Sequence, residues 1–478
     1  MKKIILFILV SGFLSCTSLD ETPDSILTSG QFYKTTEDAT AAVNGVYEAT
    51  LNPGAIMMYN RLFNLAMEVQ TDDVIAGQRV TNVDVRAMSS LTHSTTNDRV
   101  DELWKEHYTA INRACTAIDY IEEMEDIDET RKTRLINEAK FLRGLLYFNL
   151  VRLWGEVPLV IHSPASVGKE DIEVSRTPVE DVYAQIIKDL TDAENLPAPN
   201  EYSPGDAGRA TGGAAKALLS LVYLTRGEWN LAAQKSREVI NGSYGYDLFE
   251  NFADAFDAAT KNGKEHVFSA QCQGGNGKGN RLGSSCTPTG IPGIAAAGTD
   301  ELGPGVYELF EERDKRRDVT FFTSLVSPRD GKTYTFEPHF CKYFDPAEIS
   351  NPTESNRNVP VIRFAEILLV HAEAVNEAEG VPSAEAYASV NRVRQRAGLD
   401  NLPVGLSQAE FREAVYLERR LELMFEFHRW FDLARTKRLI SALEKAGKIN
   451  VQERHYLLPV PQREIDLNPK LTQNPGWD

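Results

Sequence analysis

The sequence predicts a mainly α-helical fold: a scaffold of stacked helix pairs, decorated by long loops and carrying only minor β structure. Three observations predict it. Apolar residues recur at helical 3–4 spacing in successive paired segments along most of the 478 residues. Residues 131–154 carry two apolar stripes, one of Leu135, Ala139, Leu142, Leu146, Leu150 and Leu153 and one of Phe141, Leu145 and Phe148. A helix with two apolar faces is covered from both sides, as in a stacked array. The stretch at about 243–361 breaks the pattern: it is rich in Gly and Pro and holds only short strand-like pieces, such as Val267-Phe268-Ser269 and Thr333-Tyr334-Thr335-Phe336.

Taken in order, the first helix spans Thr36 to Leu51, with Ala39, Ala42, Val43, Val46 and Tyr47 on one side and Pro53-Gly54 ending it. Residues 71–99 lack helical periodicity, are rich in Asp, Asn, Ser and Thr, and read as an irregular, exposed excursion. A second helix runs from about Val100 to Met124 on Leu103, Trp104, Tyr108, Ile111, Ala114, Ile118 and Ile121. The double-striped helix stops at Gly155 and Pro158. Thr177-Pro178-Val179-Glu180 has the form of a capping box opening a helix with Val182, Ile186, Ile187 and Leu190. Thr211 precedes a helix to Arg226 that begins Gly212-Gly213-Ala214-Ala215, small residues that admit a close neighbour. Gly227 breaks the chain and Glu228–Ile240 resumes it. Segments 362–379 and 383–397 form another pair, and the capping box Ser407-Gln408-Ala409-Glu410 opens a long helix through Arg435.

Around Gly227 the spacing is that of a repeat. Ser220, Tyr223, Gly227, Trp229 and Ala232 occupy the small, aromatic, turn, aromatic and alanine positions of a tetratricopeptide repeat. The other pairs are degenerate copies, so the scaffold is tetratricopeptide-like rather than a regular array.

The first residues address the compartment. Met1-Lys2-Lys3 followed by the apolar run Ile4–Val10 has the form of a secretory signal, too short for the ~20 residues that a membrane-spanning helix needs. Leu14-Ser15-Cys16 resembles a bacterial lipobox, which implies removal of residues 1–15 and lipidation of Cys16; an ordinary cleaved signal with an incidental cysteine is the alternative. Residues 16–35 then serve as a lipidated tether and 36–478 as one domain.

Composition excludes several classes. The chain has 51 Lys+Arg against 69 Asp+Glu, net −18, which argues against a nucleic-acid partner and permits neutral or cationic ligands. Five cysteines exclude a disulfide-rich scaffold. Cys272 and Cys286 bound a glycine-rich segment and either pair in an oxidising envelope or stay free thiols; Cys115 reads as a buried thiol. No His-Glu-x-x-His or Cys-x-x-Cys is present, and Gly283-Ser284-Ser285 lacks the second glycine of a nucleophile elbow. Gly274-Gly275-Asn276-Gly277-Lys278-Gly279 resembles a phosphate loop, but neither Ser/Thr nor a helix follows, so it reads as a flexible glycine loop without anion-binding geometry. Glu366 and Glu373 share one face of a helix that also carries a core-facing His371. They are either a carboxylate pair for glycoside hydrolysis or, in these Arg-rich surroundings, salt-bridge partners. No catalytic, cofactor-binding or metal-ligating set is assigned, and no cofactor is expected.

Six ordered blocks carry a family resemblance. They are residues 137–159, beginning Asn137-Glu138-Ala139-Lys140-Phe141-Leu142-Arg143; Thr211–Leu219 with Gly227-Glu228-Trp229; Arg363–Ala374; Asn391–Leu399; Glu418-Arg419-Arg420 with Glu422–Glu426 and Arg429–Leu433; and Leu457–Pro461 with Asn468-Pro469 and Gln473–Trp477. Together they resemble the SusD/RagB family over nearly the whole chain. Phe427 stands where many members carry glycine. The resemblance implies a non-catalytic outer-membrane lipoprotein at the cell surface that binds an oligosaccharide or polysaccharide and passes it to a SusC-like TonB-dependent transporter. A surface glycoside hydrolase on a helical scaffold and a pure assembly lipoprotein are the alternatives. In the family the ligand contacts loops of the N-terminal half together with loops of the insertion. That places the expected site on Asp72, Asp73, Arg79, Asp84, Arg86, His93 and Asn97 of the excursion, joined by Tyr307, Tyr334 or Phe336. The excursion has no Trp, Tyr or Phe, which argues against a simple aromatic-platform site for α-glucan and points to a polar ligand such as an amino sugar or a branched glycan.

Overall fold

A computed structural model describes residues 32–51, 58–164, 166, 168–351 and 353–477. The signal segment, Cys16, the tether up to residue 31 and Pro53-Gly54 lie outside these residues. The helices that build the scaffold are α1 (Thr36–Leu51), α2 (Val83–Ser90), α3 (Asp98–Glu122), α4 (Glu129–Trp154), α5 (Val179–Ala193), α6 (Gly212–Arg226), α7 (Trp229–Ile240), α8 (Phe364–Glu379), α9 (Ala384–Arg396) and α10 (Gln408–Leu423). Two shorter helices follow, α11 (Arg429–Arg435) and α12 (Leu439–Lys445).

The helices stack in chain order: α1 on α3, α3 on α4, α4 on α5, α5 on α6, then α6 on α7. α7 packs directly on α8, which packs on α9 and α10, so the stack continues across the insertion as though it were absent. The double stripe of α4 is buried on both sides, with Phe141, Leu142 and Leu146 fully inaccessible. The caps follow local chemistry. The Asn97, Asp128 and Thr211 side chains accept from the backbone N–H of Arg99, Arg131 and Ala214, and Ser407 and Glu410 cap each other. Gly227 turns the α6–α7 hairpin at φ +74°, a conformation open to glycine at little steric cost.

Two expected helix boundaries differ. Thr177 forms no capping box: it lies in strand β3 (Arg176–Thr177), which pairs antiparallel with β2 (Val157–Pro158), and α5 starts at Val179 behind Pro178. The long helix expected through Arg435 is broken at Met424–His428, where Phe425 and Phe427 adopt left-handed backbone conformations with φ of 62° and 67°. Side chains with a Cβ seldom occupy that region, which explains why glycine suits position 427.

The β structure lies mostly in the insertion. Strand β4 (His266–Ala270) pairs antiparallel with β8 (Val359–Arg363), clamping the two ends of the insertion together. Strands β6 (Phe321–Val326) and β7 (Thr333–Phe340) form a hairpin, and β5 (Asp300–Leu302) pairs with β1 (Val74–Ala76) from the N-terminal half. That last pairing carries the insertion's loops over residues 71–83.

Candidate ligand face and the ion-pair web behind it

The excursion 71–99 is structured, contrary to the irregular segment expected, and its residues divide about evenly between buried and exposed. It contains β1 and α2, and the adjacent aspartates Asp72 and Asp73 are buried. Asp73 is fully buried and accepts from Arg420 Nε and Nη2 at 2.8 and 2.6 Å. Asp72 takes Arg429 Nε and Nη2 at 2.8 and 2.7 Å, in a bidentate pair. Burial raises the Asp72 carboxyl, but the Arg429 hydrogen bonds and charge outweigh it and hold the group below its ordinary value. Burial, with Asp72 beside it, leaves Asp73 above its own despite Arg420.

His93 and Asn97 are likewise internal. His93 lies against Trp477 and His455, with centroids 4.9 and 5.5 Å away, and burial pushes its pKa down to about 3. Asn97 caps α3 and donates to Asp84 O at 3.1 Å. Asp84 is half-buried in the first turn of α2. Arg86 latches the preceding loop by donating to Val80 O and Gln78 O at 2.6 and 3.0 Å. Of the seven polar residues expected to grip ligand, Arg79 alone combines exposure with a place on the insertion's loops: a Cβ at Gly298 would come 3.6 Å from Arg79 Cδ.

The structure assembles one loop-built face at that point. Gly77 N donates to Thr299 O at 2.8 Å, and Gln78 N donates to Glu301 Oε1 at 2.9 Å. The 287–299 loop is pinned by Thr299 N to Ser285 O at 2.7 Å and by Ser327 Oγ to Pro292 O at 2.7 Å. His339 of β7 contacts Cys286 O at 3.1 Å. Beside these loops Phe322, Phe336, Phe344 and His339 form a half-buried aromatic patch, with ring centroids 5.3–5.6 Å apart. Phe336 was expected from sequence; Phe322, Phe344 and His339 were not, because only hairpin pairing and the turn after Phe340 bring them together. Tyr334 sits on the same hairpin, its hydroxyl donating to Asp330 Oδ2 at 2.9 Å. Tyr307 is half-buried instead against Phe321, with the Arg317 guanidinium 5.6 Å from its ring.

Behind this face lies a web of buried charges. Arg363 contacts Glu265, Glu422 and Glu426 at 2.6, 2.8 and 2.7 Å, and Arg316 contacts Asp314 and Glu418 at 2.8 and 2.6 Å. Lys342 joins Glu426 at 2.8 Å. The broken segment between α10 and α11 is held from both sides: Lys342 Nζ donates to Met424 O at 2.7 Å, and Phe427 N donates to Glu68 Oε1 at 2.5 Å. Burial, reinforced by Asp73, raises the Glu68 carboxyl to about 8.

Glu366 and Glu373 belong to this web. Glu366 meets Arg419 and His428 at 3.2 Å each, and Glu373 meets Arg435 Nη2 at 2.8 Å, with both carboxylates fully buried. They are ion-pair partners. His371 is structural, bridging Ser236 Oγ and Glu385 Oε1 at 2.9 Å each.

Cys272 and Cys286 are separate free thiols, both buried, so no disulfide joins them; each lies near a different oxygen, Ala270 O and Asp300 Oδ2. The glycine loop is ordered, and anion-cradling geometry is present after all. Gly275 N and Gly277 N donate to Glu354 Oε2 at 3.0 and 3.3 Å, so a carboxylate of the chain itself fills the cradle.

Comparison with known proteins agrees with this architecture. A family model described as "SusD family" matches residues 296–477, and one described as "Starch-binding associating with outer membrane" matches residues 18–224. SusD-like protein P2 of Formosa agariphila is 32% identical over 519 aligned residues, covering 99% of each chain. A laminarin-binding SusD-like protein superposes with TM-score 0.80 at 28% identity, over 93% of this chain and 100% of its own. A SusD superfamily protein from Parabacteroides distasonis superposes with TM-score 0.82 at 27% identity, over 94% of this chain and 100% of its own. With a relative of this identity matched from end to end on a shared helical scaffold, the chain belongs to the SusD family.

Proposed function

We propose that this protein is a non-catalytic glycan-binding lipoprotein of the outer membrane, anchored through Cys16, that hands its ligand to a SusC-like TonB-dependent transporter. The observation that carries the binding role is the loop-built face: the Phe322–Phe336–Phe344 patch touches His339, His339 contacts Cys286 O at the start of the 287–299 loop, and Gln78 and Arg79 meet Glu301 and Gly298 at that loop's other end. Aromatic faces pack on the apolar face of a sugar ring, and planar polar groups take its hydroxyls. The face stands on loops held by a rigid scaffold, the usual arrangement for recognition. The laminarin-binding relative and the family description of starch binding with outer-membrane association support the same reading. The Glu366 and Glu373 carboxylates, enclosed and paired with arginine, favour binding over hydrolysis.

Affinity electrophoresis against a panel of neutral and charged polysaccharides tests the binding role, with a reducing-sugar assay run on the same panel. Retardation by at least one glycan without sugar release is the expected result; release of reducing ends would establish a hydrolase instead. Cys16→Ala should move the protein out of the membrane fraction.

A further inference from the structure

The recess between α10, α11 and α12 has a chemistry unlike the rest of this acidic chain. It encloses about 440 Å³, within the ~300–1,000 Å³ of small-molecule sites. Arg420, Arg429, Arg438 and Lys445 line it, with Arg419 and Arg435 deeper, against three carboxylates, Asp72, Glu413 and Asp432. Asp73, Glu366 and Glu373 pair with Arg420, Arg419 and Arg435 from behind, so charge is balanced around the recess and Lys445 alone of its cations has no ion pair among the described residues.

The internal ion pairs leave donors over. Arg420 and Arg429 engage the aspartates through Nε and Nη2, and their Nη1 groups meet no acceptor among the described residues. Arg419 is 3% exposed and its Nη1 is buried, also without an acceptor among the described residues. Asp72 already shows what these groups bind: a carboxylate held by the fork of Arg429. Guanidinium forks match sulfate as well as carboxylate. The recess also has an apolar wall. The Tyr416 ring lies 4.6 Å from the Arg438 guanidinium, and Leu417 beside it is 47% exposed.

We propose that this recess is a subsite for a sugar bearing a carboxylate or sulfate group, with Arg420, Arg429 and Lys445 supplying the charge and Tyr416–Leu417 the apolar wall. The inference rests on the glycan-binding reading and names a ligand class for a place on the chain distinct from the loop face. Composition argues the other way, since a net-negative chain suits neutral or cationic ligands; here the spare guanidinium N–H groups of Arg420 and Arg429 and the exposed Lys445 decide, because distant charges are screened beyond about 10 Å at 0.1 M salt.

Isothermal titration of the purified protein tests it with tetragalacturonate, its methyl ester, a sulfated carrageenan tetrasaccharide and a neutral laminarin oligosaccharide. The uronate, the sulfated sugar or both should bind at least about tenfold more tightly than the uncharged ester, and raising salt from about 50 to about 500 mM should weaken that binding. Lys445→Ala with Arg438→Ala, and separately Tyr416→Ala, should each weaken it about tenfold with the melting temperature nearly unchanged, since Lys445 is exposed and the Arg438–Glu413 pair lies at the surface. Equal affinity for acid and ester, binding of neither anionic sugar, or variants that bind as the wild type does would each overturn the subsite. The laminarin arm reads the loop face independently, so loss of the subsite is distinguishable from loss of the glycan-binding role.

Discussion

The ion-pair web of residues 265, 316, 342, 363 and 418–435 and the loop face of residues 77–83, 287–299 and 321–344 use polar residues to opposite ends. In the web Arg363, Glu422 and Glu426 are at most 2% exposed and all three sit in charge-assisted bonds. On the face Arg79 is exposed beside a glycine, and the polar groups stand next to half-buried aromatics. The difference lies in the partner. The carboxylates Asp72, Asp73 and Glu426 are each met by a guanidinium and enclosed, whereas Arg79 on the face stays exposed. The boundary falls within a few residues: Asp72 and Asp73 belong to the web, and the loop from Gly77 onward belongs to the face.

Variants can break or sharpen this contrast. Arg363→Ala leaves Glu265, Glu422 and Glu426 without their central cation, and loss of one partner from a buried pair costs about 3–5 kcal/mol. Urea denaturation should show at least that loss; a change under about 1 kcal/mol would mean that the web carries no stability. Leu142→Ala, on the doubly buried α4, should cost about 2–5 kcal/mol, and a cost near zero would contradict coverage from both sides.

Asp73→Ala and Arg79→Ala straddle the boundary. The first should lower stability by about 3 kcal/mol, while the second should stay within about 0.5 kcal/mol of the wild type. Equal melting temperatures for the two would erase the distinction drawn at Gly77. On the face, Phe336→Ala should weaken binding of a verified glycan by about 1–2 kcal/mol with little change in unfolding. Unchanged affinity would shift the site away from the hairpin.

Glu68 provides a subtler probe, because the broken segment donates to it. Its folded pKa, about 8, lies above the ordinary carboxylate value, so the folded state binds the extra proton. Its contribution is fully present below about pH 4.5 and is lost as pH rises toward 8. Glu68→Gln keeps an acceptor for Phe427 N–H and should flatten this part of the stability profile. Parallel profiles for the two proteins between pH 5 and 8 would show that Glu68 does not titrate there.

Much of the scaffold was legible in the residues. The stripes of α4, the caps at Thr211 and Ser407 and the glycine turn at 227 are interactions among near neighbours, so periodicity and spacing determine them. The family blocks were legible for the same reason, being runs of consecutive residues. The expected ligand residues were not, because their fate depends on distant partners. Asp73 and Arg420 are 347 positions apart, and nothing local to Thr71-Asp72-Asp73 shows that two guanidinium groups close over it. The break between α10 and α11 was hidden likewise: Phe425 and Phe427 continue a helical pattern, and tertiary bonds from Lys342 and Glu68 hold the left-handed turn. Sequence by itself determined most of the scaffold helices and that they stack, though not α2 or the break between α10 and α11. Tertiary structure alone decided which charges are enclosed and which remain on the surface, because Coulomb and desolvation terms depend on distances that no local pattern encodes.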